Sequence, residues 1–178
     1  MKEINRKVLV IAVALLAVAM LSVPVMAAPA TKFPASTTVI ESINGPPTKV
    51  KATESGVVHV WGIPYTNKRT LTIGVDDYPV YAVGSFDITW NSKTGVAVSH
   101  FTAVWYVGSL TEPTDDGFSG NSEIKVFNVV NPQTLEGADY TTSYSVMQGF
   151  GSFAQQTLKL SYEGPFPAFD TNGYCIIP

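Results

Sequence analysis

Residues 95–111, GVAVSHFTAVWYVGSLT, decide the fold of this chain. The stretch contains no Asp, Glu, Lys or Arg, and apolar residues occupy both phases of its two-residue alternation. One phase holds Ala97, Ser99, Phe101, Ala103, Trp105 and Val107, and the other holds Val96, Val98, His100, Thr102, Val104 and Tyr106. Successive strand residues point to opposite faces, so a strand of this kind is covered on both sides. We expect one face to fill the core. The other face should meet a neighbouring subunit, or alternatively the N-terminal lead-in at residues 28–55.

The segments around this stretch alternate more cleanly between apolar and polar residues. Phe86, Ile88 and Trp90, for example, are separated by polar neighbours, which is typical of a half-buried strand. Polar or glycine-containing segments of hairpin length separate these runs, at residues 66–68, 76–77, 91–95 and 131–133. The predicted strands cover residues 56–65, 69–75, 79–91, 96–108, 121–130, 140–149 and 155–163, with one more from the lead-in.

Hairpin connections imply antiparallel pairing, because parallel strands need longer crossovers. We therefore predict an all-β fold, an antiparallel β-barrel of about eight strands, with a β-sandwich as the alternative. The chain has 178 residues, of which 46% are hydrophobic, so wholesale disorder is excluded. Its 11 Lys and Arg against 14 Asp and Glu give a net charge of −3, which argues against a nucleic-acid partner.

The first residues resemble an export signal. Lys2, Arg6 and Lys7 precede an apolar run over residues 8–25, and the small residues Val25 and Ala27 suit cleavage after Ala27, with cleavage after Ala30 as a second option. A retained membrane anchor is the competing interpretation. We predict a cleaved signal helix at 1–27, an extended lead-in with edge strands at 28–55 and a β-barrel domain at 56–178. The mature protein would be secreted or at the cell surface, without membrane contact.

The C-terminal third carries a glycine-punctuated passage, QGFGSFA at 148–154, followed by LKL at 158–160. It resembles the barrel proteins of the allene-oxide-cyclase and dirigent type, in which Gly-x-Gly-x-Phe joins two late strands. The segments YEGP at 162–165 and TNGY at 171–174 are similar to those of uncharacterised secreted prokaryotic members. The resemblance implies an eight-stranded antiparallel barrel with an apolar central cavity, commonly a trimer, in which a reactive small molecule is steered. The acidic or polar catalytic positions of that group have no match here, so no catalytic residue is assigned.

The candidate binding residues are the two histidines and the aromatic residues of the predicted strands. A competent histidine site needs a third partner, so a wall histidine bonded to a hydroxyl or backbone group is the favoured interpretation. Aromatic residues pack in cores by default, but they also bind carbohydrate or lipophilic ligands. The ligand-binding candidates are His59, Trp61, Trp90, His100, Trp105, Tyr106 and Tyr144.

The chain shows no nucleophile elbow, phosphate-binding glycine loop or His-Glu-x-x-His motif. The oxygen-rich loop at 112–123 is interpreted as a solvated turn, with calcium binding as the alternative. We assign no metal site and no cofactor. The single cysteine, Cys175, is expected to be a buried thiol in a final strand, although an intermolecular disulfide is the alternative.

The sequence thus favours a secreted or cell-envelope β-barrel that binds a small apolar ligand or acts in assembly without catalysis, as a homo-oligomer. The first alternative is a cavity-type isomerase or cyclase, which requires a histidine and a carboxylate clustered inside the barrel. The second is a subunit of an extracellular filament, in which the N-terminal strand of one chain completes the sheet of the next.

Overall fold

The computed structural model describes residues 29–108, 114–132, 135–166 and 170–178. The predicted signal peptide lies outside these ranges, as does Glu112 of the oxygen-rich loop. The described chain consists of nine strands and one short 3₁₀ turn, Gly151–Phe153. The strands are β1 Thr31–Asn44, β2 Lys49–Ala52, β3 Val57–Ile73, β4 Asp76–Asn91, β5 Val96–Val107, β6 Gly117–Phe127, β7 Tyr140–Phe150, β8 Thr157–Pro165 and β9 Thr171–Ile177.

The strands form one antiparallel sheet that closes on itself. From β3 to β9 each strand pairs with the next, and β1 pairs with both β9 and β3. The short strand β2 pairs with β3 beyond the end of β1. The ring therefore has eight positions, and a sheet closed in this way is a barrel. The predicted all-β antiparallel barrel is confirmed.

One predicted turn is wrong. The polar segment at 66–68 lies in the middle of β3, so the two strands predicted at 56–65 and 69–75 are a single strand. Thr66 and Lys68 lie on the outer face, where polar residues are expected, and Asn67 is buried on the inner face. Asn67 is tolerated there because its side chain accepts a hydrogen bond from Arg69. The remaining turns, at 74–75, 92–95 and after β6, lie close to their predicted positions.

One half of the ring interior is filled by apolar side chains. Phe118, Leu71, Met147, Leu158 and Leu160 are almost completely inaccessible to solvent. The 3₁₀ turn between β7 and β8 closes this end, because Phe153 packs with its ring centroid 5.0 Å from that of Phe118. This turn forms the last three residues of the Gly-x-Gly-x-Phe segment at 149–153, and Gly151 adopts a φ of 63° there. The segment is the tight corner between two late strands that the sequence indicates.

A bulge in β3 decides which residues face inward. The pairing with β4 shifts between Val60 and Ile63, where Gly62 adopts a φ of 61°. Before the bulge the even-numbered residues point into the ring, as the burial of Val60 shows. After it the odd-numbered residues do, so Tyr65, Asn67 and Arg69 face the interior. A bulge of one residue exchanges the two faces of a strand in this way.

The wall of the ring is incomplete at the end away from Phe153. Pairing between β1 and β9 ends at Thr37 and Thr171, and pairing between β8 and β9 ends at Ser161 and Asn172. Within the described residues, the rest of β1 pairs with β3 alone and the rest of β8 pairs with β7 alone. As far as the described residues show, this end of the interior therefore has a gap in the hydrogen-bonded wall.

Candidate functional site

A cavity of about 180 Å³ occupies the second half of the ring interior. Side chains of β1, β3, β4, β5, β6 and β7 line it, together with Leu135, Phe166 and Thr171. Ser42 and Asn44, at the end of β1, belong to the lining and are exposed to solvent. The cavity therefore reaches the outside at the end where the wall has its gap.

Three aromatic rings form one wall of the cavity. Phe86 and Phe101 stack with their centroids 4.5 Å apart and an interplanar angle of 16°. The ring of Tyr65 meets both edge-on, with its centroid 5.4 Å from Phe101 and 5.9 Å from Phe86. Aromatic pairs in these arrangements attract one another beyond their burial, so the three rings support each other as a fixed apolar surface.

Arg69 provides the cavity with a positive charge. Its Nε donates a hydrogen bond to Asn67 Oδ1 at 2.9 Å, and its guanidinium carbon lies 4.2 Å from the centroid of the Trp105 ring. Burial lowers the pKa of Arg69 to about 10, an effect that the nearby Tyr65 partly offsets. The guanidinium is therefore still protonated at neutral pH, inside the ring, where an unpaired charge is costly.

No carboxylate balances this charge within the described part of the chain. The ion pairs found there join Lys68 to Glu41 at 2.8 Å and Lys125 to Glu123 at 3.1 Å, and His100 Nδ1 lies 3.7 Å from Glu123. None of them includes Arg69, and no Asp or Glu is among the described residues that line the cavity. This described lining thus carries one formal positive charge and no negative charge.

Hydroxyl groups make up much of the remaining lining. Thr141 and Thr171 use their hydroxyls within the protein, since Thr141 Oγ1 donates to the Lys125 carbonyl at 2.9 Å and Thr171 Oγ1 bonds Thr37 Oγ1 at 2.9 Å. Four serines of the lining make no side-chain hydrogen bond to any described residue, namely Ser99, Ser122, Ser143 and Ser145. Their hydroxyls are free to bind a molecule in the cavity.

The hydroxyl of Tyr65 also makes no hydrogen bond to the described residues. Burial raises the pKa of Tyr65 to about 12, against a smaller opposing effect of Arg69. At neutral pH this phenol is therefore a neutral hydrogen-bond donor.

Two of the seven residues predicted from the sequence point into the ring. Trp105 is buried and lines the cavity beneath the guanidinium of Arg69. Trp90 packs against the core next to the cavity, and its Nε1 donates to the Val129 carbonyl at 3.0 Å. Trp105 is thus the predicted residue that can contact a cavity ligand, and Trp90 fixes the loop after β6.

The other five predicted residues lie on the outer face. His59 Nδ1 is 3.1 Å from Thr89 Oγ1, and its ring stacks on that of Trp61 with centroids 5.4 Å apart. His59 is thus a wall histidine bonded to a hydroxyl. The His100 side chain is 64% exposed, beside Glu123. Tyr106 and Tyr144 occupy outward positions on β5 and β7.

The sequence interpretation missed Arg69, Asn67, Tyr65, Phe86 and the cavity serines. The sequence contained an indication of Arg69, because it alternates with Leu71 and Ile73 and therefore lies on the same face of the strand. Both Leu71 and Ile73 are buried. A charged residue in the apolar phase of a strand points to an interior charge. The turn predicted at 66–68 placed Arg69 at the first position of a strand, where a charged side chain can reach solvent.

The described lining of the cavity contains no histidine and no carboxylate. Both histidines lie on the outer face of the ring. Among the described residues, no three His, Cys, Asp or Glu side chains are grouped closely enough to hold a metal ion. The interior is instead suited to holding a molecule by its shape, its hydroxyls and one guanidinium.

Within the described ranges, no helix is both long enough and apolar enough to span a bilayer. Comparison of the chain with protein-family models, with curated proteins and with solved structures gave no match.

Proposed function

We propose that the protein is an exported binding protein that holds a small, largely apolar ligand in the cavity of its ring and performs no catalysis on it. The observation that supports this role is the solvent-connected cavity with its wall of Phe86, Phe101 and Tyr65. Concave sites lined by aromatic groups and a few polar groups are the usual form of small-molecule sites.

The size of the cavity limits the ligand. An apolar protein cavity of about 150 Å³ holds one benzene molecule. The cavity of about 180 Å³ is slightly larger, so a single aromatic ring with one substituent fits it. Longer molecules would have to extend past Ser42 and Asn44 into solvent.

The titration of the interior groups argues for binding rather than catalysis. A general acid or base works best when its pKa lies near the operating pH. Burial holds the pKa of Tyr65 at about 12 and that of Arg69 at about 10. Neither group changes its protonation near neutral pH, so the cyclase alternative lacks a proton-transfer group in the described cavity.

The N-terminal sequence supports the export part of the proposal. Residues 1–27 have a basic start, an apolar middle and small residues before Ala28, which is typical of a cleaved signal. We expect N-terminal sequencing of the exported protein to begin at Ala28 or close to it. Recovery of intact residues 1–27 would indicate a membrane anchor.

The ligand-binding role can be tested with a neutral aromatic probe. Benzyl alcohol titrated into the mature protein should cause saturable NMR shifts of the Trp105 indole and the Phe101 amide. Ser145→Phe places a ring in the cavity and should abolish these shifts. Ser161→Phe, a matched change on the outer face, should leave them intact. Shifts that do not saturate, or that persist in Ser145→Phe with a native-like spectrum, would contradict the proposed site.

A further inference from the structure

Resting on the ligand-binding role proposed above, we propose that the ligand is a small organic carboxylate whose charged group pairs with Arg69. The basis is an interior guanidinium that lines a cavity and has no counter-ion among the described residues. An uncompensated charge inside a protein is unfavourable, so its presence requires an anion or a strong structural reason.

The protein contacts of Arg69 leave its binding edge free. Asn67 accepts the hydrogen bond from Nε, and Trp105 covers one face of the guanidinium plane. The described residues accept no hydrogen bond from either terminal nitrogen. These two nitrogens are the fork that binds a carboxylate with two parallel hydrogen bonds. Asn67 and Trp105 thus fix the orientation of the fork without using it.

The charge of the lining selects an anion with a single negative charge. Among the lining residues that the structure describes, Arg69 is the one cationic side chain, and the other polar groups are neutral hydroxyls and amides. A phosphate group with about two negative charges at neutral pH usually meets several cations or a helix N-terminus. A carboxylate matches one guanidinium in both charge and geometry.

The remaining lining selects an apolar body. The wall of Phe86, Phe101 and Tyr65 offers aromatic contact, and the volume suits one ring. The free hydroxyls of Ser99 and Ser145 can bond the carboxylate or a ring substituent. We therefore infer an aromatic or short aliphatic monocarboxylate, for which benzoate is the simplest probe.

The test compares three probes on the mature protein: benzoate, benzyl alcohol and inorganic phosphate. Benzoate should bind about tenfold or more tightly than benzyl alcohol, as expected when hydrogen bonds to a charged group are added. Arg69→Met should remove this difference, weakening benzoate by about tenfold or more while changing benzyl alcohol by less than about threefold. Lys68→Met removes a neighbouring charge on the outside of the same strand and should leave all affinities unchanged.

The outcomes separate this inference from the proposed function. If benzyl alcohol binds in the cavity but benzoate binds no better, or if Arg69→Met leaves their ratio unchanged, the carboxylate inference is overturned and the binding role stands. If phosphate binds as tightly as benzoate, the apolar body is not recognised and the inference is also overturned. If neither aromatic probe binds, the proposed function itself fails. Should Arg69→Met not fold, Arg69→Lys keeps the charge but loses the fork, and it should reduce the preference for benzoate.

Discussion

Tyr65 is an interior side chain whose pKa is strongly shifted by burial. Burial raises its pKa to about 12, so the folded protein keeps this proton over a range where the unfolded chain loses it. Stability associated with Tyr65 is therefore present below pH 10 and is lost as the pH rises towards 12. We expect an ultraviolet titration at 295 nm to show one tyrosine ionising near pH 12, and Tyr65→Phe to remove that step. If Tyr65→Phe instead lowers the amplitude of the ordinary tyrosine transition near pH 10, the pKa of Tyr65 is not raised by burial.

In contrast to Tyr65, we expect Arg69 to lower the stability of the ligand-free protein. Its guanidinium is charged and has no counter-ion in the described part of the chain, so replacing it with the apolar and flexible Met should raise the free energy of unfolding by roughly 1–3 kcal/mol. Urea unfolding of the ligand-free protein measures this change. The control Lys68→Met, at an exposed ion pair, should stay within about 0.5 kcal/mol of wild type. A clear loss of stability in Arg69→Met would mean that the side chain mainly supports Trp105 and Asn67.

Among the strands, β3 contributes most to the site because of its bulge. Gly62 has a φ of 61°, and its N–H donates to Asp87 Oδ1 at 2.7 Å on the facing strand. Alanine is strained in this conformation, and its Cβ would crowd the side chain of Thr48. Gly62→Ala should therefore lower the free energy of unfolding by about 1–3 kcal/mol in a denaturant titration.

Gly62→Asn provides a graded control for this prediction. Asparagine tolerates a positive φ better than alanine does, so its loss of stability should be smaller. Equal losses in the two variants would indicate that crowding at Thr48 is the dominant effect. No loss in either variant would mean that the bulge does not depend on glycine.

The alternation of residues predicted most strands, and the bulges explain where it failed. Phe86, Ile88 and Trp90 alternate without interruption, and a strand with one buried face followed directly from the sequence. In β3 the phase changes at Gly62, and the polar residues at 66–68 then resemble a turn. A bulge depends on pairing with a distant strand, which local periodicity does not record. The inward positions of Tyr65 and Asn67 were missed for the same reason, because both residues follow the bulge.

The whole ring divides into a packed half and an open half. Phe118 and Phe153 fill one end, whereas Arg69, the aromatic wall and the serines surround the cavity at the other. Several strands contribute to both halves, and their inward residues change from apolar to mixed along the strand. On β5, for example, Val107 and Ala103 are core residues, while Phe101 and Ser99 line the cavity. The packed half can hold the ring closed while the open half binds a ligand.

The outer surface of the whole molecule carries the remaining sequence-based expectation, that of self-assembly. Val104 and Tyr106 are half-buried on the outer face of β5, beside Val83 and Tyr81 of β4, and the ring of Phe150 lies 6.1 Å from that of Tyr106. Large apolar patches on a monomer commonly mark interaction sites. We expect this patch to meet a second copy of the chain in a closed symmetric oligomer.

Val104→Glu tests this interface because the residue points away from the core. The variant should retain the circular dichroism spectrum of the wild type, since the inward face of β5 is unchanged. Light scattering at micromolar concentration should show an oligomer for the mature wild-type protein and a single chain for Val104→Glu, because a buried unpaired carboxylate disfavours the interface. Thr102→Glu, at an exposed position on the same face, should leave the oligomer intact. A wild-type protein that scatters as a single chain would refute the interface, and the outer apolar patch would then face solvent.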